Sequence, residues 1–81
     1  MTGLRWRKTT VEDIDGHAMP LWERGVYRIS ANVGVWENGR LVRWDFELTI
    51  VVQGQERYVS SHRSLEAAKK AATDHEKSAR L

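Results

Sequence analysis

The sequence predicts an α+β fold in which a three- to four-stranded antiparallel meander sheet carries one C-terminal helix packed on one face. Two long stretches alternate strictly between apolar and polar residues, which indicates strands with one buried face. Asn38-Gly39 lies between them, and this pair favours a tight hairpin turn. After Ser64, apolar residues recur every three or four positions, which indicates a helix. A chain of 81 residues fits a single domain, 1–81.

The hairpin is the clearest element, with strands predicted at 26–36 and 41–52. A two-residue turn at Asn38 and Gly39 places Glu37 opposite Arg40. A slip by one residue would oppose apolar side chains to polar ones, so the turn and the alternation support one register. Continued without interruption, that register pairs Val35 with Val42, Val33 with Trp44, Ala31 with Phe46, Ile29 with Leu48 and Tyr27 with Ile50.

A third strand is predicted at 56–60, after a second turn near Gly54, and its register is open. A two-residue loop places Val59 on the core face, and a three-residue loop places Tyr58 there. The strands leave the other face of the sheet in water, which is normal for antiparallel sheets. That polar face carries Arg28, Ser30, Asn32, Arg43, Asp45, Glu47 and Thr49.

The helix is predicted at 64–79, with Ser64 as its N-cap. Its apolar stripe is mostly alanine, so the helix can lie close to the sheet, and Trp44 and Phe46 are expected to fill the space between them. The stripe consists of Leu65, Ala68, Ala72, His75 and Ala79.

The N-terminal third gives a weaker signal. Apolar and polar residues alternate briefly over 4–9, which indicates a possible edge strand. Residues 10–25 contain Asp15-Gly16 and Met19-Pro20, which are turn or breaker signals. We therefore expect a loop over 10–25.

The composition excludes several classes of function. The chain has no cysteine, which rules out disulfides, thiolate metal sites and cysteine nucleophiles. A cytoplasmic location is expected, since small secreted domains usually need such cross-links. No apolar run approaches the roughly 20 residues that span a bilayer, and the basic start from Met1 to Thr10 lacks the apolar core of a secretory signal. We expect no membrane partner.

No catalytic or metal-binding set is predicted. His17, His62 and His75 do not have the spacing of a helical zinc site. Ser60-Ser61-His62 places a nucleophile near a base, but the sequence shows no acid to orient the histidine. The chain is therefore expected to be non-enzymatic and to use no cofactor and no metal.

Trp36 is the first candidate for partner binding. It falls on the polar face beside the hairpin tip, where the alternation calls for a polar residue, with Arg40 and Arg43 nearby. Tryptophan and arginine are the residues most enriched at binding hot spots. Packing against the N-terminal arm or Leu41 would explain Trp36 equally well. Trp22 is a second candidate anchor, and covering an open end of the core is its alternative role.

Nucleic-acid binding is the alternative function. The formal charge of +2 is a mild bias. Basic residues interleaved with an aromatic can hold a phosphate backbone, although a solvated surface explains them at least as well. The candidate residues are Arg5, Arg7, Lys8, Arg63, Lys69 and Lys70.

The whole chain resembles small stand-alone accessory proteins of phages and mobile elements. The resemblance is carried by Trp6, by Gly25-Val26-Tyr27-Arg28-Ile29 and by the helix start Ser64-Leu65-Glu66-Ala67-Ala68. Some members bind and inhibit host defence complexes such as CRISPR effectors. The resemblance implies an anti-CRISPR-like inhibitor whose partner is a protein or a ribonucleoprotein complex.

Two partial resemblances imply nucleic acid instead. Residues 46–72 resemble the last strands and helix of a double-stranded RNA-binding domain, although Ser64-Leu65-Glu66 stands where that family has Ser-Lys-Lys. Residues 25–75 resemble the arm-type DNA-binding module of tyrosine recombinases, through Tyr27-Arg28 and a helix start at Ser64. The oligomeric state is left open between a monomer and a homodimer formed through an edge strand, such as the one after Gly54.

Overall fold

The computed structural model describes residues 5–12 and 15–79, apart from the side chains of residues 32, 33 and 79. Five antiparallel strands of this part of the chain form one sheet in sequence order, followed by one helix. The predicted α+β class, an antiparallel sheet with a C-terminal helix, is confirmed, but the predicted three to four strands are too few. The elements are β1 (Arg7–Glu12), β2 (Ala18–Arg24), β3 (Tyr27–Glu37), β4 (Arg40–Val52), β5 (Gln55–His62) and α1 (Leu65–Ala79).

The loop predicted over 10–25 is wrong, because β1 and β2 form a hairpin there. Gly16 has a φ of +82° and lies between the two strands, as its turn signal indicated. Pro20, expected to act as a turn or breaker signal, lies inside β2. It is tolerated because the pairing of β2 with β3 begins only at Leu21, so Pro20 faces no neighbour on that side within the described residues. The edge strand expected at 4–9 is β1, and Leu4 lies outside the described residues.

Both predicted tight turns consist of two residues with positive φ. Asn38 and Gly39 have φ of 52° and 76°, as a type I′ turn requires. Gln53 and Gly54 form the second turn, so the two-residue alternative is correct for β5. Val59 accordingly packs against the core.

The predicted register of the β3–β4 hairpin holds at both ends and fails in the middle. Glu37 pairs with Arg40, Ile29 with Leu48, and Tyr27 with Ile50, as predicted. Between them, the ladder has a bulge at Val42 on β4 and a second bulge after Ser30 on β3. The two extra residues lie on opposite strands, so their shifts cancel. The predicted pairs Val35–Val42, Val33–Trp44 and Ala31–Phe46 are wrong: Val35 pairs with Arg43, Gly34 with Trp44, and Val33 with Asp45.

The core lies between α1 and the sheet face that the helix covers, called the helix face below. Ala68 and Ala72 of α1 are fully buried, so this part of the predicted stripe packs on the sheet, while the side chain of Ala79 lies outside the described residues. Ser64 caps the helix, since its Oγ accepts a hydrogen bond from the Ala67 N–H at 3.1 Å. The other buried core residues are Tyr27, Ile29 and Leu48. Partly buried around them are Trp6, Trp22, Phe46, Ile50, Val59, Leu65 and Ala71.

The second half of α1 is tied to the sheet by polar contacts. The Tyr27 hydroxyl and Nδ1 of His75 are hydrogen-bonded at 2.8 Å. Burial, and then the charge of Glu76, raise the pKa of Tyr27, while Arg24 acts in the opposite direction. Arg24 also forms an ion pair with Glu76 at 3.4 Å. These contacts fix the helix over one half of the sheet.

The opposite side of the sheet, called the outer face, is covered by mutually paired charges. Arg28 contacts Glu23 at 3.1 Å and Glu56 at 3.3 Å, and Arg7 reaches the other oxygen of Glu23. Thr49 pairs with Arg28 on β3 and is buried, although the sequence placed it in water. Its Oγ1 has no hydrogen-bond partner among the described residues.

Thr49→Val is therefore expected to raise the free energy of unfolding by about 1 kcal/mol. The substitution removes a buried hydroxyl that has lost its hydration and has gained no hydrogen bond in return. Urea denaturation measures the change. Thr10→Val, at an exposed threonine of β1, is the matched control and is expected to have a smaller effect. A loss of stability in Thr49→Val would show that the hydroxyl is satisfied.

Candidate binding surface

Part of the helix face is left uncovered, because the strands differ in length. The last residue of β5, His62, pairs with Phe46. Residues 40–45 of β4 extend beyond it and, within the described residues, pair only with β3. Since α1 follows β5 closely and returns toward Tyr27 and Arg24, it does not reach the hairpin tip. The tip is a two-stranded ribbon that projects from the core.

Trp36, Leu41 and Trp44 meet over Gly34 on this ribbon, and we call these three side chains the tryptophan platform. A methyl group placed on Gly34 would lie 3.1 Å from Nε1 of Trp36, 3.2 Å from Cδ1 of Leu41 and 3.5 Å from Cζ3 of Trp44. The absence of a side chain at Gly34 therefore lets the two indoles and the leucine come together. Trp36 is 63% exposed, Trp44 50% and Leu41 40%.

The two bulges place the platform on the helix face. Trp44 lies two residues before Phe46 and so shares its side of the sheet, the side that packs on the core. In uninterrupted strands Leu41 and Trp44 would point to opposite faces. The extra residue at Val42 brings Leu41 to the same side as Trp44, and the bulge on β3 does the same for Gly34 and Trp36.

A groove of about 440 Å³ continues from the platform toward β2. It forms because β2 separates from β3 beyond the pair of Leu21 with Ser30, so that the β1–β2 hairpin and the ribbon diverge. Most of its surface is apolar. The lining residues are His17, Ala18, Met19, Pro20, Ala31 and Trp44.

The four residues proposed from the sequence as a partner site do not form one group. Trp36 is exposed, but it packs with Leu41 and Trp44 on the helix face, so its predicted place on the polar face with Arg43 is wrong. Arg43 forms an ion pair with Asp45 at 2.9 Å, and Arg40 lies at the turn opposite Glu37. Trp22 belongs to the core, with its ring 5.9 Å from that of Phe46 in an edge-to-face arrangement.

Trp44 is a further correction. The sequence places Trp44 under the helix, whereas the structure shows it half exposed on the ribbon, outside the buried cluster. Gly34 was the one sequence signal of an irregularity near Trp44, because a glycine inside a strand often marks a bulge or a close approach of neighbouring groups.

The six cations proposed for nucleic acid are divided between different surfaces. Arg7 forms an ion pair with Glu23 on the outer face. Lys8 lies on the helix face, with its Nζ 5.7 Å from the ring centre of Trp22. Arg63 precedes α1, and Lys69 and Lys70 belong to its first half, where Lys70 pairs with Asp74. The exposed Arg5 is outside the strands.

Ser60 and His62 do meet, as their spacing on a strand allows. The Ser60 Oγ and Nε2 of His62 are 2.7 Å apart at the edge of the sheet. The part of the chain that the structure describes contains no group of three or more His, Asp or Glu side chains able to hold a metal ion. Within the same residues, no helix combines the length and apolar character needed to cross a membrane.

Comparison of the chain with protein-family models, curated proteins and solved structures gives no significant match. The tryptophan platform and the groove beside it are therefore the features that bear on function.

Proposed function

We propose that this protein is a non-enzymatic binding module whose partner is another protein, docked on the tryptophan platform and the groove. The observation that carries the proposal is the exposure of two neighbouring tryptophans on one face of the sheet, next to an apolar groove. Contiguous exposed apolar surface is uncommon on small monomers and marks interaction sites.

The platform has the properties of a binding hot spot. Trp36, Leu41 and Trp44 crowd the space over Gly34, so part of their side-chain freedom is already lost before a partner covers them. Each indole offers a large apolar surface with one N–H donor at its edge. The groove beside Trp44 gives an apolar side chain of the partner a place to enter.

The distribution of charge favours a protein over nucleic acid. Affinity for nucleic acid comes mainly from cations that neutralise phosphates. Arg7, Arg28, Arg43 and Lys70 are each paired with a carboxylate of this chain. The platform itself is apolar, and Glu37 and Arg40 at its turn carry opposite charges. The nucleic-acid alternative predicts binding that weakens steeply with salt, which a gel shift at two salt concentrations tests.

The resemblance to phage accessory proteins suggests a partner class, a host defence protein or a ribonucleoprotein complex. We keep that class as part of the proposal, with the protein component of such a complex as the surface that would meet the platform.

The test compares two surfaces of the same molecule. Trp36→Ala combined with Trp44→Ala is expected to weaken binding of a captured and purified partner by about 30-fold or more, the effect of losing roughly 2 kcal/mol at a hot spot. Tyr58→Ala is the matched control, since Tyr58 is 62% exposed and pairs with Thr49, away from the platform. Calorimetric titration gives each dissociation constant. Equal affinity of the double variant and the wild type would contradict the proposal, as would a larger loss in Tyr58→Ala.

A further inference from the structure

We infer that the partner of this protein presents an extended segment, which adds to the free edge of β3 as a further antiparallel strand and places apolar side chains in the groove. The inference rests on the proposed function and deepens it, since it names the kind of segment that the partner uses. It follows from the unpaired backbone groups of β3, from Pro20, and from the position of the groove beside that edge.

The free edge of β3 lies on the side of the ribbon that faces β2. The pairing of β2 with β3 ends at Leu21 with Ser30, and among the described residues no strand pairs with residues 31–37 on that side. Most of these residues pair with β4 on their other side, so the edge already has the form of a strand. An unpaired strand edge presents N–H and C=O groups that an added strand can satisfy.

The hydrogen-bonding pattern of the ribbon determines which backbone groups point outward. Glu37 and Arg40 close a two-residue turn and are therefore hydrogen-bonded to each other. The direction of the backbone groups alternates along a strand of an antiparallel pair, so Val35 also points to β4. Gly34 and Trp36 consequently direct their N–H and C=O groups toward the open side. These are the groups that an added strand would pair with.

Pro20 explains why β2 leaves this edge open. Arg24 and Tyr27 close the two-residue turn between β2 and β3, so their backbone groups are hydrogen-bonded to each other. By the same alternation, the backbone groups of Trp22 and then those of Pro20 are directed at β3. Proline has no N–H to donate, so the pairing of the two strands ends before it. The added strand therefore takes its hydrogen bonds from β3.

The groove lies where the side chains of such a strand would point. Directly opposed residues in a sheet share one face, so the partner residues opposite Gly34 and Trp36 would direct their side chains to the helix face. The groove of about 440 Å³ opens on that face beside Trp44, and most of its surface is apolar. A segment with an apolar residue at every second position, and polar residues between them, fits this surface.

A defined peptide tests strand addition at this edge. The probe is a capped heptapeptide in which four threonines alternate with three leucines. It is titrated into the isotope-labelled full chain, and nuclear magnetic resonance follows the amide signals. We expect a dissociation constant below about 1 mM. The amide signals of Gly34 and Trp36 should shift most, and that of Tyr58, on the far edge of the sheet, should not move.

Methyl groups on the amides of the peptide distinguish strand addition from contact by side chains alone. The N–H groups of the leucines point at β3, so methylation of the three leucines should weaken binding at least about tenfold through lost hydrogen bonds. The N–H groups of the threonines point away from β3. Methylation of three threonines is therefore the matched control, with an expected change below about threefold.

Equal weakening by the two methylations overturns the inference, as does absence of binding at about 2 mM peptide. Trp44→Ala, checked for folding by circular dichroism, is expected to weaken binding too and separates this result from the proposed function. Binding that Trp44→Ala abolishes and neither methylation weakens would overturn strand addition and leave the platform as the partner's site. Binding that only leucine methylation weakens, with equal affinity in Trp44→Ala and the wild type, would uphold the edge and contradict the platform.

Discussion

Leu48→Ala is expected to lower the free energy of unfolding by about 2–5 kcal/mol, the range for removing a buried leucine from a packed core. Leu48 has no exposed surface and lies in the buried cluster with Ile29, Ala68 and Ala72. The side chains of Ala68 and Ala72 are too short to move into the vacated space, so the cavity would stay largely open. Domains of this size have a total stability of roughly 5–15 kcal/mol, so much of it would be lost.

Urea denaturation of the two proteins gives the difference. Val52→Ala, near the exposed end of the same strand, is the matched control and is expected to cost less than about 1 kcal/mol. If both variants lost the same free energy of unfolding, the core would not be centred on Leu48. Such a result would contradict the packing of α1 on this part of the sheet.

Ala72→Leu is expected to destabilise the fold by about 1–3 kcal/mol, because it forces extra carbon atoms into a filled interface. Ala72 is fully buried against the sheet. Thermal unfolding measures the effect, and about 4–8 °C of the midpoint corresponds to each kcal/mol in a domain of this size. Ala67→Leu, on the exposed side of the same helix, should leave the midpoint nearly unchanged.

The two core substitutions also test each other. In the double variant Leu48→Ala/Ala72→Leu, the larger side chain on the helix can occupy space vacated on the sheet. We therefore expect a loss smaller than the sum of the two single losses. Strict additivity would indicate that the two residues do not share one packed interface.

The sequence predicts those parts of the fold that local chemistry determines. Asn38-Gly39 has one well-favoured turn, and the pairing of Ile29 with Leu48 counted from that turn is correct because the two bulges between them cancel. Ser64 could be predicted as a cap because its hydroxyl satisfies a helix N–H that would otherwise be unpaired. In each case the decisive interaction lies within a few residues or along a regular pattern.

The middle of the hairpin could not be predicted, because two compensating bulges leave no trace in a period-two pattern. The uninterrupted register pairs apolar residues just as well, so alternation alone chose it. The real register is favoured by what Gly34 permits, the approach of Trp36 and Trp44 over a residue without a side chain. That contact joins two strands and cannot be seen within either one.

The candidate site was only partly predictable for the same reason. Trp36 could be singled out because it breaks the alternation of its own strand. Trp44 fits its strand perfectly, and its exposure results from the length of β5 and the path of α1. The strand β2 was missed because Pro20 is read as a breaker, whereas its tolerance depends on the separation of β2 from β3.

The central claim is that two bulges gather the tryptophan platform over Gly34, and proton–proton distances from nuclear Overhauser spectroscopy test it most directly. We predict contacts from the Gly34 Hα protons to the rings of both Trp36 and Trp44, together with a backbone contact between Val35 and Arg43. Backbone contacts pairing Val35 with Val42 and Val33 with Trp44 would establish the uninterrupted register and contradict the account.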